Sequence, residues 1–155
     1  MHNMEIERKF LVKDLPFSLD SFDVRIIEQG YLCTRPVVRI RRDNDKYELT
    51  YKSKGLMIRE EHNMPLTAEA YAHLKTKVDG RIISKDRYMI PYNDQLTIEL
   101  DLFENIFQEG SSKPLILAEV EFPDVEEANA FTPPKWFGED VTYSKKYHNS
   151  NLSKI

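Results

Sequence analysis

Short alternations of apolar and charged residues carry most of the chemistry this chain can offer. The segment M-E-I-E-R-K-F at 4–10 places Glu5, Glu7 and Lys9 on every second position, with Ile6 and Phe10 between and beside them. V-R-I-R-R at 38–42 does the same with Arg39 and Arg41, and Y-E-L-T-Y-K-S-K at 47–54 with Glu48, Thr50, Lys52 and Lys54. Further along come Arg59 with Glu61, Lys85 with Arg87, Glu99 with Asp101, and Glu119 with Glu121. Successive strand residues point to opposite faces, so each pair shares one face of its strand. A solvated face also carries charge. Such a face has no reason to stack like charges, because neighbours of opposite sign repel less. Like-signed pairs make sense where a ligand fills the space between them. Carboxylate pairs chelate hard divalent cations, and Arg or Lys pairs grip phosphate oxygens.

The elements that must position these pairs are mostly strands. The alternation, broken by turn residues, predicts eight strands at 4–12, 26–34, 37–42, 46–54, 57–66, 81–90, 96–103 and 115–122. Asp43-Asn44-Asp45, Gly55 and Tyr92-Asn93-Asp94 supply hairpin turns. Residues 67–80 read as a helix opened by Thr67 and stopped by Gly80, and 124–131 as a second helix opened by D-V-E-E. An eight-stranded sheet can close into a barrel whose interior takes alternate residues and encloses one small ligand. The expected fold is therefore mainly β (α+β): a closed eight-stranded antiparallel β-barrel with a polar-lined tunnel and peripheral helices. Its apolar strand faces look outward, covered by the helices, the tail or a second copy in a homodimer.

Composition narrows the function. The chain has 155 residues, 31 % of them charged and 41 % hydrophobic, with no repeat or linker, which predicts a single domain over 1–155. The net charge of −4 argues against coating of a nucleic acid duplex. A lone cysteine, Cys33, excludes an intrachain disulfide and a multi-cysteine zinc site, as suits a cytoplasmic protein. No stretch reads as a signal peptide or a membrane span. His2, His62, His73 and His148 lack metal-ligand spacing and read as surface or capping residues. Trp136, Phe137 and Tyr143 read as closing the barrel, and Lys145 and Lys146 as solvated.

E-I-E-R-K at 5–9 matches the ExExK signature of the CYTH superfamily, the triphosphate tunnel metalloenzymes. It is followed in order by QGYL, RIR, LTYKSKG with IREE, KDRY, IELDLF, AEVEF and PPKWFGEDVT, with KKYHN further on. The chain resembles the small bacterial members over nearly its whole length. The resemblance implies an eight-stranded barrel and metal-dependent hydrolysis of inorganic triphosphate, with Mg²⁺ or Mn²⁺ as cofactor. It implies Glu5, Glu7, Glu119 and Glu121 as metal ligands, with Glu99, Asp101 and Glu61 as further candidates. Lys9, Arg39, Arg41, Lys52, Arg59, Lys85 and Arg87 then hold the small polyanionic substrate. The candidate catalytic set is Glu5, Glu7, Lys85 and Tyr31, the last on the same parity as Gln29 and placed to accept a proton from water. Asn63 stands where relatives carry a second acid. Three alternatives remain: an organic triphosphate phosphohydrolase acting on thiamine triphosphate or a nucleoside or RNA 5′-triphosphate, a class IV adenylate cyclase, and a non-catalytic polyphosphate-binding module.

Overall fold

A computed structural model describes residues 4–154. Eight strands form a closed antiparallel barrel in the order β1-β5-β4-β3-β2-β6-β7-β8, with β8 returning to β1. They are β1 Met4–Leu11, β2 Asp23–Thr34, β3 Val37–Asp43, β4 Lys46–Lys52, β5 Ile58–Pro65, β6 Asp79–Pro91, β7 Thr97–Phe107 and β8 Pro114–Glu121. Closure removes the sheet edges that an open antiparallel sheet leaves exposed. The β3–β4 turn runs through Asn44 at φ 55°, a left-handed conformation that asparagine tolerates well, and its side-chain Oδ1 accepts from the Ile26 amide. Among the described residues, no helix is long and apolar enough to cross a membrane.

Helix α1 (Ala68–Lys75) is capped by Thr67, whose Oγ1 accepts from the Ala70 amide. It is shorter than the 67–80 expected. The chain leaves it at Thr76, and Asp79 and Gly80 already pair as strand β6. Gly80 sits at φ 70° against the Ser153 carbonyl, where a side chain has no room, so this glycine serves a strand start rather than a helix stop. Helix α2 (Val125–Ala130) is capped by Asp124, which accepts from the Glu127 amide at 2.8 Å.

The apolar faces do look outward. On the β1, β7 and β8 wall, Phe10, Ile98, Leu100, Ala118 and Val120 are buried beneath Leu15, Phe17, α2 and the 131–137 segment. Phe137 stacks 4.9 Å from Phe10, and Trp136 meets Phe137 edge-on. These aromatics therefore cover the outer wall instead of closing the barrel, because β1 turns its apolar parity to them. Tyr143 is exposed.

One end of the barrel is plugged, so the expected tunnel is a cup. Leu115, Leu117, Phe103, Ile83, Val37 and Tyr31 form an apolar floor layer, and Val141 and Leu152 of the C-terminal segment complete it. That segment runs through a 3₁₀ turn (Lys145–Tyr147) and a short helix α3 (Asn149–Leu152). It is fastened by the Arg81 amide donating to the Ser153 carbonyl and the Lys9 amide donating to Thr142 Oγ1.

Phe10→Ala should remove the ring on which the outer layer converges and cost about 3–5 kcal/mol. Thermal melts should show a fall of about 6–20 °C for a chain of this size. An unchanged melting temperature would mean that the outer aromatic layer contributes nothing to barrel stability.

Candidate functional site

The interior of the cup is a chamber of about 300 Å³. Its wall is built by the parity of each strand: Glu5, Glu7 and Lys9 from β1, Tyr31 from β2, Arg39 and Arg41 from β3, and Lys52 from β4. Arg59 and Glu61 come from β5, Arg87 from β6, Glu99 from β7, and Glu119 and Glu121 from β8. Lys54 lies beyond the end of β4, exposed and outside the chamber, so that pair is split by the strand's end.

Buried charges need partners, and the register supplies many of them. Glu5 faces Arg59 and takes Lys52 Nζ at 3.0 Å on both oxygens; Lys52 also lies 3.5 Å from Glu61. Lys9 is opposite Glu119 at 3.4 Å. Arg87 donates to both oxygens of Asp101, at 2.7 and 2.9 Å, and reaches Glu99 at 3.5 Å.

Asp101 departs from its expected role. It is fully buried, does not line the chamber, and has its oxygens taken by Arg87 and by Lys85 Nζ at 2.7 Å. It is committed as the counter-ion of two cations beneath the wall, apart from the carboxylates that line the chamber. Lys85 is likewise fully buried beneath the chamber wall, with Asn149 Oδ1 at 3.1 Å. Burial pushes its ammonium down to about 7, with Arg87 and Arg41 adding to the effect against the pull of Asp101.

Three guanidiniums of the chamber wall, Arg39, Arg41 and Arg59, have no carboxylate at ion-pair distance among the described residues. Arg39 donates to Thr50 Oγ1 at 3.1 Å, which in turn bonds Asn63 Oδ1, and its Nε has no partner. Arg41 donates Nε and Nη2 to Gln29 Oε1, and Gln29 Nε2 donates to the Tyr31 hydroxyl at 3.1 Å. Burial and then Arg39 push Arg41 down to about 10. Arg59 donates to His148 Nδ1 at 2.8 Å, and its Nε is also without a partner. Strand β3, which carries Arg39 and Arg41, lies across the barrel from β8, which carries Glu119 and Glu121.

The acids respond to crowding. Burial, and then Glu119 and Glu5, hold the Glu7 carboxyl well above the usual range. At the mouth, Glu121 is pushed up to about 7 by burial and by Glu5, Glu99 and Glu61, although water reaches it. Burial also raises Glu5 and Glu119, but Lys52 for the first, and Lys9 and Arg87 for the second, outweigh it and hold them low. Among the described residues, no three such side chains form a ready-made metal cage. The donors nevertheless fit a hard cation: they are all carboxylate oxygens, mutually repelling, and open to substrate oxygens and water, which Mg²⁺ prefers to a closed protein shell.

The CYTH domain matches residues 3–155. The chain belongs to the CYTH family. It is 39 % identical over 153 residues to an inorganic triphosphatase of Nitrosomonas europaea, covering 96 % of each chain. With an inorganic triphosphatase of Acetivibrio thermocellus it shares 36 % over 155 residues, covering 97 % of this chain and 93 % of that one. The solved structure of the inorganic triphosphatase NE1496 superposes with a TM-score of 0.68 at 36 % identity, covering 97 % of this chain and 95 % of that one.

Several lining groups of this CYTH barrel escape a reading of strand parity. His148, expected at the surface or at a cap, is buried against Arg59. Burial, with Lys9 and Arg59, pushes it down to about 4, so near neutral pH it is an uncharged ring that accepts at Nδ1 and offers Nε2–H to the Thr142 carbonyl. Asn149 and Ser150 line the chamber beside it. They belong to a tail without periodicity, where the KKYHN match at 145–149 reaches Asn149 and stops short of Ser150. Gln29 is fully buried and joins Tyr31 to Arg41. Of the other histidines, His62 pairs with Glu60 at the surface, His73 is exposed, and His2 lies outside the described residues. Cys33 is half-buried.

Glu121 gives a pH test. Its raised carboxyl favours the folded state while protonated, a contribution present below the ordinary value of 4.5 and lost as pH rises through about 7. Glu121→Gln abolishes that loss. In chelator, its melting temperature should equal the parent's at about pH 4.5 and exceed it progressively towards about pH 8. A pH-independent offset would show that Glu121 is not crowded by the other mouth acids.

Proposed function

We propose that this CYTH barrel is a divalent-metal-dependent inorganic triphosphatase that cleaves tripolyphosphate inside its cup. The observation that carries this reading is the facing of Arg39 and Arg41, without carboxylate partners, against Glu119 and Glu121 across a chamber of about 300 Å³. A polyanion needs the guanidiniums, and the carboxylates opposite repel it unless a cation lies between. Glu5, Glu7, Glu119 and Glu121, with Glu61 and Glu99 beside them, would hold Mg²⁺ or Mn²⁺. When bound, that ion supplies Lewis-acid polarisation and charge neutralisation of the phosphate oxygens.

The chain's own residues do the rest. Arg39, Arg41, Arg59, Lys9, Lys52 and Arg87 bind and align the phosphates, so that the terminal phosphorus meets a water oxygen in line with the bridging oxygen that leaves. The new P–O bond forms as the bridging P–O bond breaks, and the electron pair departs on pyrophosphate, where the guanidiniums stabilise it. Tyr31, its hydroxyl held by Gln29, orients the water and relays its proton, passing the phenolic proton to a phosphate oxygen as it accepts the water's. Lys85, fully buried beneath the chamber wall with its ammonium pushed down to about 7, holds Asp101 and Asn149 and so acts on the phosphates through the wall above it. Organic triphosphates are less well served: among the described residues Tyr31 is the one aromatic ring in the lining, and it belongs to the floor, so no clamp is offered to a purine, pyrimidine or thiazole. A pure polyphosphate binder has no use for acid pairs that repel its ligand.

Purified protein should release phosphate from tripolyphosphate with Mg²⁺ or Mn²⁺, lose that activity in excess chelator, and act poorly on ATP or thiamine triphosphate. Full activity in chelator would end the metal reading. Arg39→Ala should raise KM and lower kcat. Tyr31→Phe keeps the ring but removes the hydroxyl, and kcat should fall about 10²-fold with KM little changed. Unchanged turnover would remove the phenol from the proton path.

A further inference from the structure

We infer that the plugged end of the barrel carries a second, external binding site for a small inorganic phosphate anion of the pyrophosphate class. On the far side of the C-terminal plug lies a pocket of about 410 Å³, between the β2–β3 turn, the β4–β5 turn and the segment 145–154. Arg35, Lys54, Arg59, Lys145 and Lys154 line it, and among the described residues no aspartate or glutamate does. This concentration of cations runs against a chain whose net charge is −4. In the barrel interior Lys9, Lys52, Lys85 and Arg87 are each answered by a carboxylate. Here Arg35, Lys54 and Lys145 have no ion-pair or hydrogen-bond partner for their side chains among the described residues, and Lys154 Nζ donates only to Thr34 Oγ1, at 3.1 Å.

The buried member is the second observation. Arg59 is 8 % exposed and lines both the chamber and this pocket. Its Nη2 is used on His148, while its Nε proton has no acceptor. His148 also lines the pocket and is uncharged near neutral pH, so it neither adds to nor neutralises the field. An oxyanion satisfies the orphaned donor and relieves the repulsion among the cations together. Lysine ammoniums and guanidinium forks are the groups that recognise phosphate oxygens. The lining holds no phenylalanine, tyrosine or tryptophan on which a base could stack, so a bare phosphate fits better than a nucleotide.

The test is equilibrium dialysis of radiolabelled pyrophosphate against the full chain in chelator at low ionic strength. The parent should bind at two sites. Lys54→Ala with Lys145→Ala, both exposed and outside the chamber, should weaken one site about tenfold or more and leave the other unchanged. Lys54→Arg with Lys145→Arg should retain both. Arg39→Ala with Arg41→Ala should weaken the chamber site and spare the external one, so the outcome is readable whether or not tripolyphosphate is hydrolysed. A single site in the parent, or an isotherm unmoved by the double alanine variant, would overturn the assignment. Retention on vesicles containing phosphorylated phosphatidylinositol without binding of free pyrophosphate would overturn it as well, by assigning the pocket to a lipid headgroup.

Discussion

Everything in this barrel follows from the cost of placing ionisable side chains inside it. A charge removed from water is tolerated only when another charge, a hydrogen-bond network or a ligand replaces the solvent. The deepest layer meets that cost internally: Asp101 is shared between Arg87 and Lys85. The layers above meet it incompletely. Lys52 and Lys9 each neutralise a glutamate, but Glu7 is crowded by Glu119 and Glu5, and Arg39 and Arg41 have only neutral partners. That imbalance, positive on one wall and negative on the other, is the physical content of the site.

The plug sharpens it. A barrel open at both ends would let water reach its charged layers from two sides. Here an apolar floor and the tail seal one end, so the charges of the chamber act in a medium where they are stronger. The tail is tied in through cations in and beneath the chamber wall: Lys9 Nζ donates to the Tyr147 carbonyl, Arg59 to His148, and Lys85 to Asn149. Seal and site are therefore built together, and the neutral state of His148 follows from its burial there, with the cations packed around it adding to the effect.

The two faces of each strand divide the work. Inward residues carry charge; outward ones hold the barrel together against α2, the 12–22 loop and the aromatic segment through Trp136 and Phe137. Among the described residues the chamber wall holds one aromatic ring, Tyr31, set in the floor, and its other side chains are almost all charged or polar, an interior that suits a small polyanion. Family membership and the likeness to inorganic triphosphatases agree with that shape.

How much of this the sequence determined differs residue by residue. The inward charges of β1, β3 and β8 were legible because a strand has a period of two, so composition at alternate positions fixes a face without any long-range information. Closure into a barrel followed from the like-signed pairs, which only an enclosed ligand reconciles. The tertiary structure decided what period cannot encode. Asp101 has the same parity as Glu99, yet its depth and its position opposite Arg87 make it a counter-ion. Lys54 has the same parity as Lys52, yet the strand ends between them. His148 and Asn149 sit in a segment without periodicity, and their place at the floor of the cup depends on where the tail crosses the barrel's end. Which strands stand opposite one another is set by closure, a sum over all eight pairings, and no local stretch of sequence contains it.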